Sequence, residues 1–100
     1  MADIGDLNRR YLRLTILRLL HDAAGYTMNE SLLHGYLQRL FFKVTRAQVR
    51  TELAWLHQQG LVHVTEELGL MGGELTQDGI DIATGNGTHP DVQRPSGRKS

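Results

Sequence analysis

A short basic segment near the middle of the chain has residue types that suit contact with DNA. The segment contains Arg46, Ala47, Gln48, Arg50 and Thr51. Arginine can donate two hydrogen bonds to guanine, glutamine can bond adenine, and alanine or threonine can contact the thymine methyl group. Arg39 and Lys43 precede the segment, where a phosphate backbone would pass. The alternative is an ordinary solvated helix surface on which Gln48 serves only as a cap.

No residue pattern indicates catalysis or a metal site. The chain has 100 residues, five of them histidine and none cysteine. His57 and His63 can approach each other in space, but two imidazoles alone make a poor metal site. The sequence also lacks a phosphate-binding loop, a dinucleotide-binding glycine motif and a nucleophile elbow. We therefore expect a protein that is not an enzyme and that binds neither a cofactor nor a metal.

The net charge is zero, but the charges are segregated along the chain. Residues 25–60 carry an excess of cations, whereas residues 61–84 carry five acidic residues and no lysine or arginine. Residues 1–6 are acidic and lack the apolar stretch of a signal peptide. No segment is apolar over the length that a membrane span requires. These features predict a soluble, cytoplasmic protein without a membrane partner.

Apolar spacing predicts a first helix over residues 6–21, with an inward face and a second apolar stripe roughly opposite to it. The second stripe consists of Leu7, Tyr11 and Leu14. A surface helix needs only one apolar face. If it is exposed, the second stripe forms a patch of a kind that monomers rarely show. We therefore expect a homodimer held partly by these three residues; the alternative is that the N-terminal segment or the last helix covers them.

Two capping boxes predict the starts of the next two helices. Thr27 with Glu30 begins a helix that runs to about Leu40, and Thr45 with Gln48 begins a helix that runs to residue 59. In such a box, the hydroxyl of the first residue and the side chain of the fourth each satisfy a backbone N–H group. The residues of the earlier helix that are expected to face inward are Leu32, Leu33, Tyr36, Leu37 and Leu40.

The rest of the chain predicts a β-hairpin, a short helix and a tail. Residues 61–67 favour a strand, and the turn that follows is predicted at Gly69, Gly72 and Gly73. Residues 74–75 would form a short return strand, and Thr76 would cap a last helix. From residue 85 onward, glycine, proline, serine and charged residues dominate. We expect residues 1–84 to form the domain and residues 85–100 to form a flexible tail.

The order of these elements and three sequence segments resemble winged helix-turn-helix proteins of the MarR, PadR and ArsR type. The segments are RLTILRLL at residues 13–20, LAWLHQQGLV at residues 53–62 and LTQDG at residues 75–79. The resemblance implies a mainly α fold with a small β-hairpin, a third helix that enters the DNA major groove, and pairing of two copies through terminal helices. With its PDVQRPS tail at residues 90–96, the whole chain further resembles small ArsR-like winged-helix proteins of Mu-like phages and prophages.

These observations favour a DNA-binding protein of transcription-regulator type. The expected partner is double-stranded DNA, and the predicted contacts are Lys43, Arg46, Ala47, Gln48, Arg50 and Thr51.

The predicted hairpin argues for an alternative function. Phosphates would repel Glu66 and Glu67 within a Debye length of ~8 Å. The hairpin would then point away from DNA or bind a protein partner. Its apolar tip, made of Leu68, Leu70 and Met71, would contact that partner or fold back onto the core. The alternative is therefore a protein–protein adaptor, for example in phage assembly or packaging, that does not bind DNA.

Overall fold

The computed structural model describes residues 4–96, in which helices pack against a small antiparallel sheet. The helices are α1 (Ile4–Asp22), α2 (Glu30–Arg39), α3 (Arg46–Gln58) and α4 (Gln77–Thr84). The strands are β1 (Thr27–Asn29), β2 (Val62–Glu67) and β3 (Leu70–Leu75), and a short 3₁₀ turn, Ala24–Tyr26, joins α1 to β1. The helices and the hairpin that the sequence predicted are present, together with one further short strand.

The apolar core lies between the helices and one face of the sheet. The side chains of α1, α2 and α3 with no exposed surface are Ile16, Leu17, Leu20, Leu33, Leu37, Val49, Leu53 and Leu56. Burying one such side chain contributes about 1.5–3 kcal/mol to stability. The core therefore holds the inner face of α3 firmly against α1 and α2. The outer face of α3 is directed to solvent.

α2 buries a narrower face than the sequence predicted. Leu33 and Leu37 lie in the core, but Leu32, Tyr36 and Leu40 are about half exposed. Residues four apart share one face of a helix, so these three form a stripe beside the buried one. The prediction that they face inward is wrong, because apolar spacing alone does not show which of two neighbouring stripes packs against the core.

The start of α2 also differs from the predicted capping box. The cap is Asn29, whose Oδ1 accepts a hydrogen bond from the Leu32 N–H at 2.8 Å. Thr27 lies in β1 instead, opposite Glu74 of β3. The predicted box is wrong because β1 continues through Asn29, so α2 begins two residues later than predicted and Thr27 is too far from its first turn to cap it. The side chain of Glu30 is consequently available for other contacts.

The sheet has the strand order β1-β3-β2, and both pairs are antiparallel. The hairpin turn is at residues 68–69, which both have positive φ angles, of 54° and 78°. Gly72 and Gly73, predicted to be in the turn, lie within β3. A Cβ atom on Gly73 would lie 3.0 Å from Val62 Cγ1 and 3.1 Å from Leu53 Cδ2. The missing side chain thus allows β3 to pack closely against α3.

Thr76 and Gly79 tie the base of the hairpin to the helices on either side. Thr76 Oγ1 accepts a hydrogen bond from the Gly79 N–H at 3.0 Å and donates one to the Gly60 carbonyl oxygen at 2.7 Å. A Cβ atom on Gly79 would lie only 2.1 Å from the Leu61 carbonyl oxygen. The predicted cap of the last helix is confirmed, and it also connects α4 to the end of α3.

Residues 85–96 pack against the domain, where the sequence predicted a flexible tail. Val92 is buried in the core, and the Gln93 N–H donates a hydrogen bond to the Arg10 carbonyl oxygen at 3.1 Å. The predicted boundary between domain and tail is wrong for these residues, because a composition dominated by polar residues conceals the single apolar anchor. Residues 97–100 of the predicted tail lie outside the described residues.

Arg13 links α1, α3 and the C-terminal segment. Its Nε donates to Glu52 Oε1 of α3 at 2.7 Å, and its Nη1 donates to the Asp91 carbonyl oxygen at 3.1 Å. Its guanidinium carbon also lies 3.7 Å from the centroid of the Trp55 ring, a favourable cation–π geometry. These contacts hold the three parts of the chain together behind the outer surface of α3.

Candidate functional site

α3 begins at the predicted capping box, which is confirmed. The Thr45 Oγ1 accepts a hydrogen bond from the Gln48 N–H at 3.1 Å, and the Gln48 Oε1 accepts one from the Thr45 N–H at 2.7 Å. These bonds satisfy two of the N–H groups that the start of a helix leaves unpaired. They stabilise the first turn of α3, from which the predicted contact residues project.

The outer surface of α3 carries small side chains. Ala47, Thr51 and Ala54 are exposed, and their spacing of four and three residues places them in one line along the helix. We call this line the ridge. Glu52, the acidic residue of α3, is buried away from the ridge and paired with Arg13. The ridge is therefore a low, neutral surface that another molecule can approach closely.

Two arginines beside the ridge are held in ion pairs around a buried glutamate. Only 2% of the Glu30 side chain is exposed, and it accepts hydrogen bonds from Arg50 Nη1 and, at 3.2 Å, from Arg46 Nη2. Its Oε2 also accepts the Met71 N–H at 2.6 Å. Arg50 pairs in addition with Glu66 of β2 at 3.1 Å. This Glu30 cluster connects α2, α3 and the hairpin.

The charges of the Glu30 cluster compensate each other. Burial raises the pKa of Glu30, but hydrogen bonds from the Met71 N–H, Arg50 and Arg46 outweigh burial and lower that pKa overall. Hydrogen bonds to Glu66 and Glu30 raise the pKa of Arg50. Glu30 and Arg50 are therefore both charged near neutral pH, and because their opposite charges cancel, this side of α3 carries little net charge.

The structure divides the six predicted DNA contacts into two groups. Those exposed outside the Glu30 cluster are Lys43, Ala47, Gln48 and Thr51. Arg46 and Arg50 belong to the Glu30 cluster, with 49% and 34% of their side chains exposed. Arg46 thus retains an accessible side, whereas Arg50 binds two carboxylates and the hairpin. Contact of any of these residues with DNA stays a prediction.

Sequence patterns did not identify Glu30 as a member of this surface. Its position three residues after Thr27 suggested only a helix cap, and no local pattern links it to β3. One signal was present: Arg46 and Arg50 are four residues apart, which places both guanidinium groups on one side of a helix. Two arginines in that arrangement can share a single carboxylate.

A groove of about 810 Å³ lies along the opposite flank of α3. It runs between α1 and the loop that joins α2 to α3, and its lining includes Arg9, Tyr11, Leu40, Phe41, Lys43 and Gln48. Successive residues of a helix are rotated by about 100°, so Gln48 and Arg50 point to nearly opposite sides of α3. The ridge therefore separates the groove from the Glu30 cluster.

Only part of the predicted dimer contact is exposed. Leu7 and Tyr11 are just under half exposed, but Leu14 is buried in the core. The prediction that Leu14 extends the exposed stripe is wrong, because Leu14 belongs to the buried core cluster that also contains Ile82 and Ala83 of α4. Pairing of two copies through Leu7 and Tyr11 stays a prediction.

The hairpin ends in an exposed apolar tip. Leu68 is fully exposed, and Leu70 is partly exposed beside it. Met71 packs against the edge of the core, so this part of the predicted tip does fold back. Glu66 and Glu67 precede the turn and are exposed. The tip thus combines a projecting leucine with nearby carboxylates.

Metal-ligating side chains do not cluster in the part of the chain that the structure describes. Within residues 4–96, no three histidine or acidic side chains come together to hold a metal ion. His57 and His63 do approach, with ring centroids 5.8 Å apart. Over the same residues, none of the helices combines the length and the apolar character that crossing a membrane demands.

Comparison with known proteins relates the chain to a phage protein. It is 37% identical over 95 residues to the Uncharacterized protein gp26 of Escherichia phage Mu, a match that covers 95% of this chain and 98% of that protein. It is also 39% identical over 74 residues to an Uncharacterized protein of Haemophilus influenzae, which covers 72% of this chain and 71% of that protein. No protein-family model and no solved structure matches the chain. The similarity agrees with the predicted resemblance to proteins of Mu-like phages, and the chain belongs to the family of the phage Mu protein gp26.

Proposed function

We propose that the chain is a winged-helix protein that binds double-stranded DNA through the ridge of α3. The fold is supported by the order of elements, in which a helix, a short strand and two helices precede a hairpin. It is also supported by the position of β3 between β1 and β2 in the sheet. In this arrangement α3 is the recognition helix and the hairpin is the wing.

The observation that carries the proposal of DNA binding is the ridge itself. A major groove about 12 Å wide admits an α-helix, and small side chains let that helix approach the base edges closely. Ala47 and Thr51 suit contact with thymine methyl groups. Lys43 and the accessible side of Arg46 supply positive charge for the flanking phosphates. Arg50 acts as a positioning residue, since its contacts hold the hairpin against α3.

The test is a titration of labelled duplex DNA, followed by fluorescence anisotropy at increasing salt concentrations. The duplexes are fragments from the genomic neighbourhood of the protein's own gene and a duplex of random sequence. The wild type is expected to bind, with an affinity that falls steeply with salt because phosphate contacts release counterions. Ala47→Glu places a carboxylate on the ridge and is expected to abolish binding.

Asn86→Asp is the matched control, because it adds the same charge at an exposed position after α4. Its binding should resemble that of the wild type. The proposal is refuted if the wild type binds no duplex, or if Ala47→Glu binds as tightly as Asn86→Asp.

A protein–protein adaptor is the second candidate function, and the Glu30 cluster favours it. The cluster compensates the charge of Arg50, and the hairpin presents carboxylates where a DNA-binding wing would approach phosphates. The same titration separates the two functions. If the protein is an adaptor of this kind, neither the wild type nor a Glu67→Lys variant will bind DNA, even at low salt.

A further inference from the structure

Of the three non-glycine residues with a positive φ angle in residues 4–96, two are apolar and almost wholly exposed. Leu68 at the hairpin tip has a φ of 54°, and Phe41 at the groove has a φ of 69°. The side chain of Leu68 is fully exposed, and Phe41 is 91% exposed. Asparagine and glycine adopt this left-handed region readily, whereas bulky residues rarely do. Because neither side chain is buried, packing within the domain does not account for either residue.

The surfaces around these two residues complement each other. The groove is concave, with Tyr11 and Phe41 in its apolar lining. Its cations are Lys43 and Arg9, of which Arg9 also pairs with Asp6 at 3.2 Å. The hairpin tip is convex and apolar at Leu68, with acidic residues immediately before it. The volume of the groove, about 810 Å³, is within the range of about 300–1,000 Å³ that pockets for small ligands occupy. It therefore has room for a leucine side chain and the turn that carries it.

The hairpin of one chain does not reach the groove of the same chain. Arg50 Nη1 lies 3.4 Å from the Gly69 carbonyl oxygen, which places the turn beside the Glu30 cluster. The groove lies on the opposite flank of α3, beyond the ridge. The hairpin tip can therefore contact such a groove only on a second copy of the chain.

We propose that the hairpin tip of one copy docks into the groove of a second copy. Leu68 enters beside Tyr11 and Phe41 of its neighbour, and Glu67 faces the cations at the groove. Each copy then uses one surface to bind the preceding copy and a different surface to bind the next. Such a heterologous contact produces a closed ring or an open filament, unlike the two-fold pairing predicted from the stripe on α1.

The proposal does not depend on DNA binding, and its test uses the full chain without DNA. Sedimentation velocity measures assembly of the wild type, Leu68→Asn and Phe41→Asn over a series of protein concentrations. Asparagine accepts the left-handed conformation, so both variants should retain or raise the melting temperature. Each is nevertheless expected to weaken assembly at least about tenfold, as loss of ~1.4 kcal/mol of contact energy would. Leu32→Gln, which removes an exposed leucine of α2 outside both surfaces, should assemble like the wild type.

An equimolar mixture of Leu68→Asn and Phe41→Asn then distinguishes the heterologous contact from two-fold pairing. The first variant retains an intact groove and the second retains an intact tip, so the mixture should form a heterodimer and no larger species. The proposal is overturned if the wild type is monomeric at every soluble concentration, or if the variants assemble as it does. It is likewise overturned if the mixture stays monomeric.

Discussion

At the scale of single residues, Glu30 determines how the start of α3 is presented. Its carboxylate joins two arginines of α3 to the backbone of the hairpin, so the flank of the ridge is neutral where the sequence suggested free positive charge. Local patterns predicted the Thr45 cap because its partners are three residues apart. They did not predict the role of Glu30, whose partners are 16 to 41 residues away.

Replacing Glu30 with glutamine should reduce stability by ~1–3 kcal/mol near neutral pH, because the charged hydrogen bonds are lost. The folded-state pKa of Glu30 is lowered from 4.5, so its ionised form stabilises the folded state above that value. This contribution disappears as the pH falls through the lower folded-state pKa. In urea unfolding measured across a pH series, the difference between wild type and Glu30→Gln is therefore expected to shrink on acidification.

Glu67→Gln provides the control for that series, since it removes an exposed carboxylate outside the Glu30 cluster. It should change stability little at any pH. A difference between wild type and Glu30→Gln that stays constant from neutral to acidic pH would contradict the assignment of these hydrogen bonds to an ionised Glu30.

At the scale of elements, the sequence predicted the helices and the hairpin. It did not predict the strand and the C-terminal segment that pack against them. Periodic apolar residues and caps are local signals, and they locate α1, α3 and α4 closely. β1 and the packing of residues 85–96 depend on partners far along the chain, in β3 and α1. Sequence composition therefore predicted a flexible tail where a single valine anchors the segment.

Val92→Ala tests this anchor. The substitution removes two buried methyl groups and should lower the free energy of unfolding by about 1–2 kcal/mol. Because His89 of the same segment packs edge-on against Trp55, tryptophan fluorescence of the folded state should change as well. Arg94→Ala, at an exposed position of that segment, should leave both measurements unchanged. If residues 85–96 were flexible, Val92→Ala and Arg94→Ala would have the same free energy of unfolding and the same tryptophan fluorescence.

The acidic hairpin is the element that opposes DNA binding in the proposed docking of α3. Glu67→Lys removes repulsion of a phosphate and adds attraction, so DNA affinity should rise several-fold, most at low salt. Glu74→Lys makes the same charge change at the far end of β3, opposite Thr27 of β1, and should have a smaller effect. Equal gains for both variants in the anisotropy titration would indicate a response to net charge alone.

At the scale of the whole molecule, the ridge and the groove share an edge. The groove is lined by Thr51 of the ridge and by Gln48, which the sequence predicted to contact DNA. A neighbouring copy seated in the groove would therefore obstruct DNA at that edge. If both proposals hold, adding duplex DNA to assembled wild-type protein should release smaller complexes in sedimentation velocity. Assemblies that persist unchanged on saturated DNA would show that the two surfaces are independent.

The LTQDG segment at residues 75–79 is constrained by the architecture of the chain rather than by a surface contact. Its threonine caps α4 and bonds the end of α3, and its last residue lies too close to the Leu61 carbonyl oxygen for any side chain. A chain that keeps this junction is therefore constrained at Thr76 and Gly79, whatever its third helix contacts. The segment thus reports how the chain folds, and substitutions on the ridge can change what α3 contacts without altering it.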